Sequence, residues 1–157
     1  MQKKLNNKGF TIVEVLIVLA IAGAILAAVL LAVPALQRSG RNSTIKTAAQ
    51  QLVSGINDNE AANNGKVPTG VAGTGTVTIT NTVSTTTTVA GQVVVTTAAA
   101  GNPAVNNITV VANATCSTTP AAASGAATVT SVANSGSFGI IYPVEGTTAT
   151  SYACVQA

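Results

Sequence analysis

The sequence predicts an α+β fold: a long N-terminal α-helix set against a small antiparallel β-sheet. Three observations carry this. Residues 15–33 hold no charged side chain, only Val, Leu, Ile, Ala and one Gly. Residues 45–56 are apolar on one helical face. From about residue 67 onward the composition shifts to Thr, Val, Ala, Gly and Asn, in short alternating runs broken by Gly and Pro.

The first element is the apolar run. A helix rises about 1.5 Å per residue, so residues 10–33 span roughly 36 Å, enough to cross a hydrocarbon core of about 30 Å. One carboxylate, Glu14, lies at its head. An ionised group inside a membrane helix costs on the order of 3 kcal/mol or more, so Glu14 calls for a partner. Ahead of it, residues 1–9 are short, basic and polar, with Lys3, Lys4 and Lys8. This stretch lacks the apolar core of an ordinary secretory signal, and its charge predicts that it stays cytoplasmic.

The run Lys8-Gly9-Phe10-Thr11-Ile12-Val13-Glu14 resembles the class III signal of a type IV prepilin. The resemblance covers about the first forty residues and implies a set of expectations. A prepilin peptidase of the membrane cuts between Gly9 and Phe10 and N-methylates the new Phe10 terminus. Glu14 is the assembly carboxylate, paired with the Phe10 α-amine of a neighbouring subunit. In related pilins a Gly and a Pro bracket a segment that loosens in the filament, which makes Gly23 and Pro34 candidate helix interruptions. Gly is a poor helix former and Pro removes a hydrogen bond, so both fit that role. Pro34 falls a few residues later than the family pattern places it.

The charge follows the same division. The seven Lys and Arg exceed the four Asp and Glu, giving a formal +3. Three of the cations belong to the leader. The other four, Arg38, Arg41, Lys46 and Lys66, balance Glu14, Asp58, Glu60 and Glu145. The basic balance is therefore a property of the leader and gives no ground for nucleic-acid binding.

After Pro34, Arg38, Arg41 and Lys46 mark the exit from the apolar segment. Ile45, Ala48, Ala49, Leu52, Val53 and Ile56 recur at helical spacing, with Lys46, Gln50, Gln51, Ser54 and Asn57 on the other side. The helix is expected to run from Phe10 to about Asn63. There Asn63-Asn64-Gly65 and Pro68 stop it. Strands are expected at Thr76–Thr80, 92–97, Asn107–Ala112, 127–132 and 138–142. Residues 70–75, Thr85–Thr88, 98–100 and 121–123 read as loops. With two Phe, two Tyr and no Trp, the core must be built from small branched residues.

Two cysteines, Cys116 and Cys154, lie in the C-terminal third. Behind an export signal they read as one disulfide, with two buried thiols as the alternative. Such a bond contributes roughly 4 kcal/mol on the chain-entropy account. Asp58 and Glu60, two positions apart on a helix, diverge and read as a solvated face. With no His, and Glu145 the only acid after Glu60, neither a catalytic centre nor a metal site is expected, and no cofactor. Asn42, Asn107 and Asn113 each begin an Asn-X-Thr/Ser triplet, to which no function is assigned.

The expected organisation is a leader at 1–9, a membrane and filament-core helix at 10–36, an amphipathic helical half at 37–64, and a β-rich head at 65–157 with a disulfide-closed C-terminal region. The expected function is non-enzymatic: a structural subunit of a bacterial type IV pilus, serving adhesion, twitching motility or DNA uptake. Its partners are further copies of itself, the prepilin peptidase, the pilus assembly machinery and the inner membrane before assembly. The assembled pilus lies on the cell surface. Two alternatives stand beside it, a pseudopilin of a type II secretion or competence system and a membrane-anchored binding module.

Overall fold

The computed structural model describes residues 9–97, 103–116, 129–131, 136–146 and 150–157. The chain divides into two compact units, Met1–Gln37 and Arg38–Ala157. One helix, α1 (Ile12–Ala62), contributes to both.

In the first unit the helix is the one element of secondary structure among the described residues. Its Leu, Ala and Ile content favours helix, and its large side chains, from Ile12 through Leu36, are exposed. Gly23 and Pro34 both lie inside the helix, which is unbroken at either position in the single chain. A proline in a helix forfeits only its own bond to the carbonyl four residues back, and the flanking turns carry the geometry across. The loosening that the resemblance implies is a property of a filament, which a single chain does not test.

In the second unit α1 buries Ile45, Ala48, Ala49, Leu52, Gly55, Ile56 and Asn59. This is the expected stripe with two additions, Gly55 and Asn59, while Val53 is half-buried. The helix ends as the sequence predicts. Asn64 and Gly65 take left-handed φ values of 54° and 75°, and the Gly65 N–H bonds the Glu60 carbonyl at 2.8 Å.

The sheet that receives this stripe has seven strands: β1 (Gly70–Thr74), β2 (Thr76–Thr80), β3 (Thr85–Thr88), β4 (Val94–Thr97), β5 (Asn107–Ala112), β8 (Phe138–Glu145) and β9 (Thr150–Gln156). Their order is β3-β2-β1-β4-β5-β8-β9. Two further strands, β6 (Ala114–Cys116) and β7 (Val129–Ser131), form a separate pair. The sheet is antiparallel except between β4 and β5, where Val95 pairs with Ile108 in parallel. The sheet is the expected antiparallel one apart from that one parallel joint. The sequence alternation marks which strands need two partners. β2 reads Thr-Val-Thr-Ile-Thr and buries only Val77 and Ile79, whereas β5 and β8 are buried on both faces. One face of the sheet joins α1 in the main core, including Val71, Val77, Ile79, Val95, Ile108, Val110, Phe138 and Ile140. On the other, Val111, Ala114 and Ile141 form a smaller cluster with Tyr152 and Cys154.

Two segments read as loops are strands. Residues 70–74 become β1 because Val71 is the apolar anchor and the tight turn at Thr74-Gly75-Thr76 folds the chain back on β2. Gly73, at φ 151°, sits where a Cβ would lie 2.3 Å from the Thr76 carbonyl oxygen, so only glycine fits there. Thr85–Thr88 becomes β3 because threonine suits an edge strand and Thr76, Thr78 and Ile79 offer partners. β6 and β9 were not anticipated either. The expected loops at 98–100 and 121–123 lie outside the described residues.

Polar groups seat the helix at both ends. At its C-terminal end Asn59 and Asn63 are buried. Asn59 donates to Thr85 Oγ1 at 2.8 Å and Val83 O at 3.1 Å, and accepts from Asn81 at 3.0 Å. Asn63 donates to Val83 O and accepts from Val83 N–H. The β2–β3 turn is thus held to the helix by amides. At the start of the unit, Asn42 pairs both ways with the Glu145 backbone, donating at 2.9 Å and accepting at 2.8 Å. Arg41 holds the Glu145 carboxylate, which keeps that carboxyl below the usual carboxylate range.

Candidate assembly site at the N-terminus

The helix begins at Ile12, so Gly9 and Phe10 lie outside it, in irregular chain. Both are exposed, Phe10 by 89%, and apart from its chain neighbours no described residue stands within 4 Å of where a Gly9 side chain would be. A peptidase must draw its substrate backbone into an extended cleft, which helical hydrogen bonding forbids. The Gly9–Phe10 bond meets that condition. Residues 1–8 lie outside the described residues.

Thr11 caps the helix, its carbonyl accepting from the Val15 N–H. Glu14, three positions on, folds back: its Oε2 accepts from the Thr11 N–H at 2.8 Å and from the Thr11 hydroxyl at 2.7 Å. The Thr11 hydroxyl oxygen in turn accepts from the Glu14 N–H at 3.3 Å. This is a reciprocal capping box, and it places a negative charge at the positive end of the helix. Its Thr-x-x-Glu signature is present in the sequence at Thr11 and Glu14 but was not among the expected features.

The capping box uses one oxygen of Glu14. Oε1 has no bond partner among the described residues, and the carboxylate is exposed. Around it are Phe10, Val15, Val18 and Leu19, which line an apolar groove with Glu14 as its one polar wall. The geometry therefore offers one unused anionic acceptor on an apolar helix that has no partner within its own unit. In such surroundings opposite charges attract far more strongly than in water.

The other sequence-derived sites are placed as follows. Cys116, at the end of β6, and Cys154, on β9, form a disulfide with Cα atoms 5.7 Å apart. Asp58 is exposed, but Glu60 departs from the solvated face expected for it. It is half-buried, its Oε1 is sealed from solvent without a partner, and that burial pushes its pKa up.

α1 contains a stretch long and apolar enough to cross a membrane. A family model described as the prokaryotic N-terminal methylation motif matches residues 4–30. That span takes in Gly9, Phe10, Glu14 and most of the apolar run. Neither a curated protein nor a solved structure matches the chain.

Proposed function

We propose, from the premise that this chain carries the class III signal peptide of type IV pilins, that it is a structural pilus subunit which polymerises through α1. Prepilin peptidase removes residues 1–9 and methylates Phe10. Before assembly the apolar half of the helix rests in the inner membrane, with the second unit outside the cytoplasm. In the fibre, helices of neighbouring copies cover one another's apolar surfaces. The observation that supports this best is the unbroken exposed surface from Ile12 to Leu36, with Glu14 its one acid. A helix of that composition has two stable surroundings, lipid or its own kind.

Glu14 couples the two. Its free Oε1 accepts the α-ammonium of Phe10 from the adjacent copy while Oε2 continues to cap Thr11. The pairing offsets the cost of holding a carboxylate in an apolar setting, so leaving lipid and joining the fibre become one step. Gly23 and Pro34 are the positions at which the packed helix can yield. The surface fibre would serve adhesion, twitching motility or DNA uptake.

Mass spectrometry of the native protein tests this. A chain beginning at N-methylated Phe10 and recovered from sheared surface fibres is the expected result. A full-length chain starting at Met1 and confined to the membrane would overturn it. Pseudopilins share the motif, and recovery only in short periplasmic fibres would assign the chain to that class.

A further inference from the structure

Ser39, Asn42, Ser43 and Lys46 of α1 stand at offsets of 0, 3, 4 and 7, which places them on one stripe along the helix. Opposite them stand Tyr142 and Val144 of β8, and together these residues line an open cavity of about 490 Å³. Tyr142 is only 6% exposed and its ring belongs to the core. Its hydroxyl bonds no group among the described residues. Nor is that oxygen sealed off, since Glu60 Oε1 is the one atom among the described residues that is both buried and unbonded. The hydroxyl is therefore within reach of solvent, on a side chain that lines the cavity. Burial raises the phenol pKa, so it presents a proton.

The remaining walls are of the same character. The Lys46 side chain is exposed and makes no ion pair among the described residues. The Ser43 carbonyl is taken by Thr47, but the Ser39 and Ser43 hydroxyls bond no group among the described residues. Asn42 is committed to the Glu145 backbone. The nearest acid, Glu145, is neutralised by Arg41 and feels Arg38 as well. One ammonium-bearing and three hydroxyl-bearing side chains thus line a cavity with no carboxylate among its lining residues. Charge-assisted bonds to an oxyanion are the interactions such a donor set makes best. The volume exceeds that of a bare tetrahedral anion and leaves room for a substituent.

We infer that Ser39, Ser43, Lys46 and Tyr142 form a binding site for the oxyanion of a phosphate ester. The site does not depend on polymerisation. Its ligand has two chemical sources, a soluble phosphate ester or a phospholipid headgroup, the latter favoured by the short distance in sequence from the end of the apolar run at Val33 to Ser39.

The test uses the full chain in neutral detergent micelles, with the Tyr142 ring followed by NMR. One arm titrates glycerol 3-phosphate; the other dopes the micelles with phosphatidylglycerol. Saturable change in the first arm identifies a soluble ligand, and change in the second arm alone identifies a headgroup. In the responding arm, Lys46→Gln should weaken binding about tenfold and Tyr142→Phe about fivefold. Lys66→Gln, an exposed cation outside the site, should leave it unchanged. Tyr142→Phe keeps the ring and therefore the core, and melting curves confirm that each variant is folded. No saturable change with either probe overturns the inference. So does binding that Lys46→Gln and Lys66→Gln weaken alike while Tyr142→Phe spares it, because that is general attraction to positive charge.

Discussion

The Arg41 guanidinium grips the Glu145 carboxylate with two parallel bonds, Nε to Oε1 at 2.7 Å and Nη2 to Oε2 at 2.6 Å. The next helical residue, Asn42, holds the same residue's backbone. Helix and β8 are therefore joined at Glu145 through both side chain and main chain, across more than a hundred residues of sequence.

The pH dependence of this joint has a definite sign. The Glu145 carboxyl is held low by Arg41, so its contribution is fully present above the ordinary carboxylate pKa and is lost as pH falls through the lowered value. Glu60 is shifted the other way by burial. Its carboxylate destabilises the fold progressively as pH rises from the ordinary value through the raised one. Melting curves between pH 3 and pH 7 should show Arg41→Gln most destabilising at neutral pH and progressively less so as the pH falls below the ordinary carboxylate pKa. Glu60→Gln should raise the melting temperature at pH 7 and do nothing at the acid end.

Asn59 is the polar residue on which the far end of the helix depends. Asn59→Ala removes its bonds to Thr85, Val83 and Asn81 at one stroke and leaves a void at a fully buried position. We expect a loss of about 2–4 kcal/mol in denaturant unfolding. Amide exchange should accelerate first in residues 81–85. A loss no greater than that of an exposed substitution such as Asn57→Ala would contradict the role.

Gly55 sets how closely the helix approaches β3. A Cβ there would lie 2.7 Å from the Thr87 Cβ and Cγ2. Alanine gains about 1 kcal/mol of helix propensity over glycine, but the clash should outweigh it. Gly55→Ala is expected to lower stability by roughly 1–2 kcal/mol net. The double variant Gly55→Ala with Thr87→Ser, which removes one clashing methyl, should recover part of that loss.

The Cys116–Cys154 bond ties β6 to β9. Replacing both cysteines with serine should cost about 4 kcal/mol on the chain-entropy account. Denaturant titration of the full chain with and without reductant measures the same quantity, and coincident curves would show the bond to be energetically idle.

Glu14 and Gly9 separate processing from assembly. Glu14→Ala should abolish or sharply reduce fibres while residues 1–9 are still removed. Gly9→Val should leave the leader attached. Immunoblots of sheared and membrane fractions distinguish the two, and normal fibres from Glu14→Ala would contradict the pairing with Phe10.

Much of this protein was legible in one dimension because the signals were local. The apolar run, the helical stripe from Ile45 to Ile56, the stop at Asn64-Gly65 and the alternation of Thr76–Thr80 each follow from periodicity over a few turns or pleats. β1 and β3 were not legible, since Gly and repeated Thr carry no alternation until a neighbouring strand supplies hydrogen bonds. Glu60 misled because its exposure depends on groups packed against it.

By itself the sequence determined the helix, its apolar head with Glu14, and the methylation motif, because cleavage signals and helical periodicity are written in consecutive residues. Only tertiary structure decided that β4 and β5 run parallel, that Asn59 is buried among amides, and that Arg41 and Asn42 meet Glu145. Those relationships join residues far apart in the chain, and no local pattern encodes which distant partner will satisfy a buried amide or a paired charge.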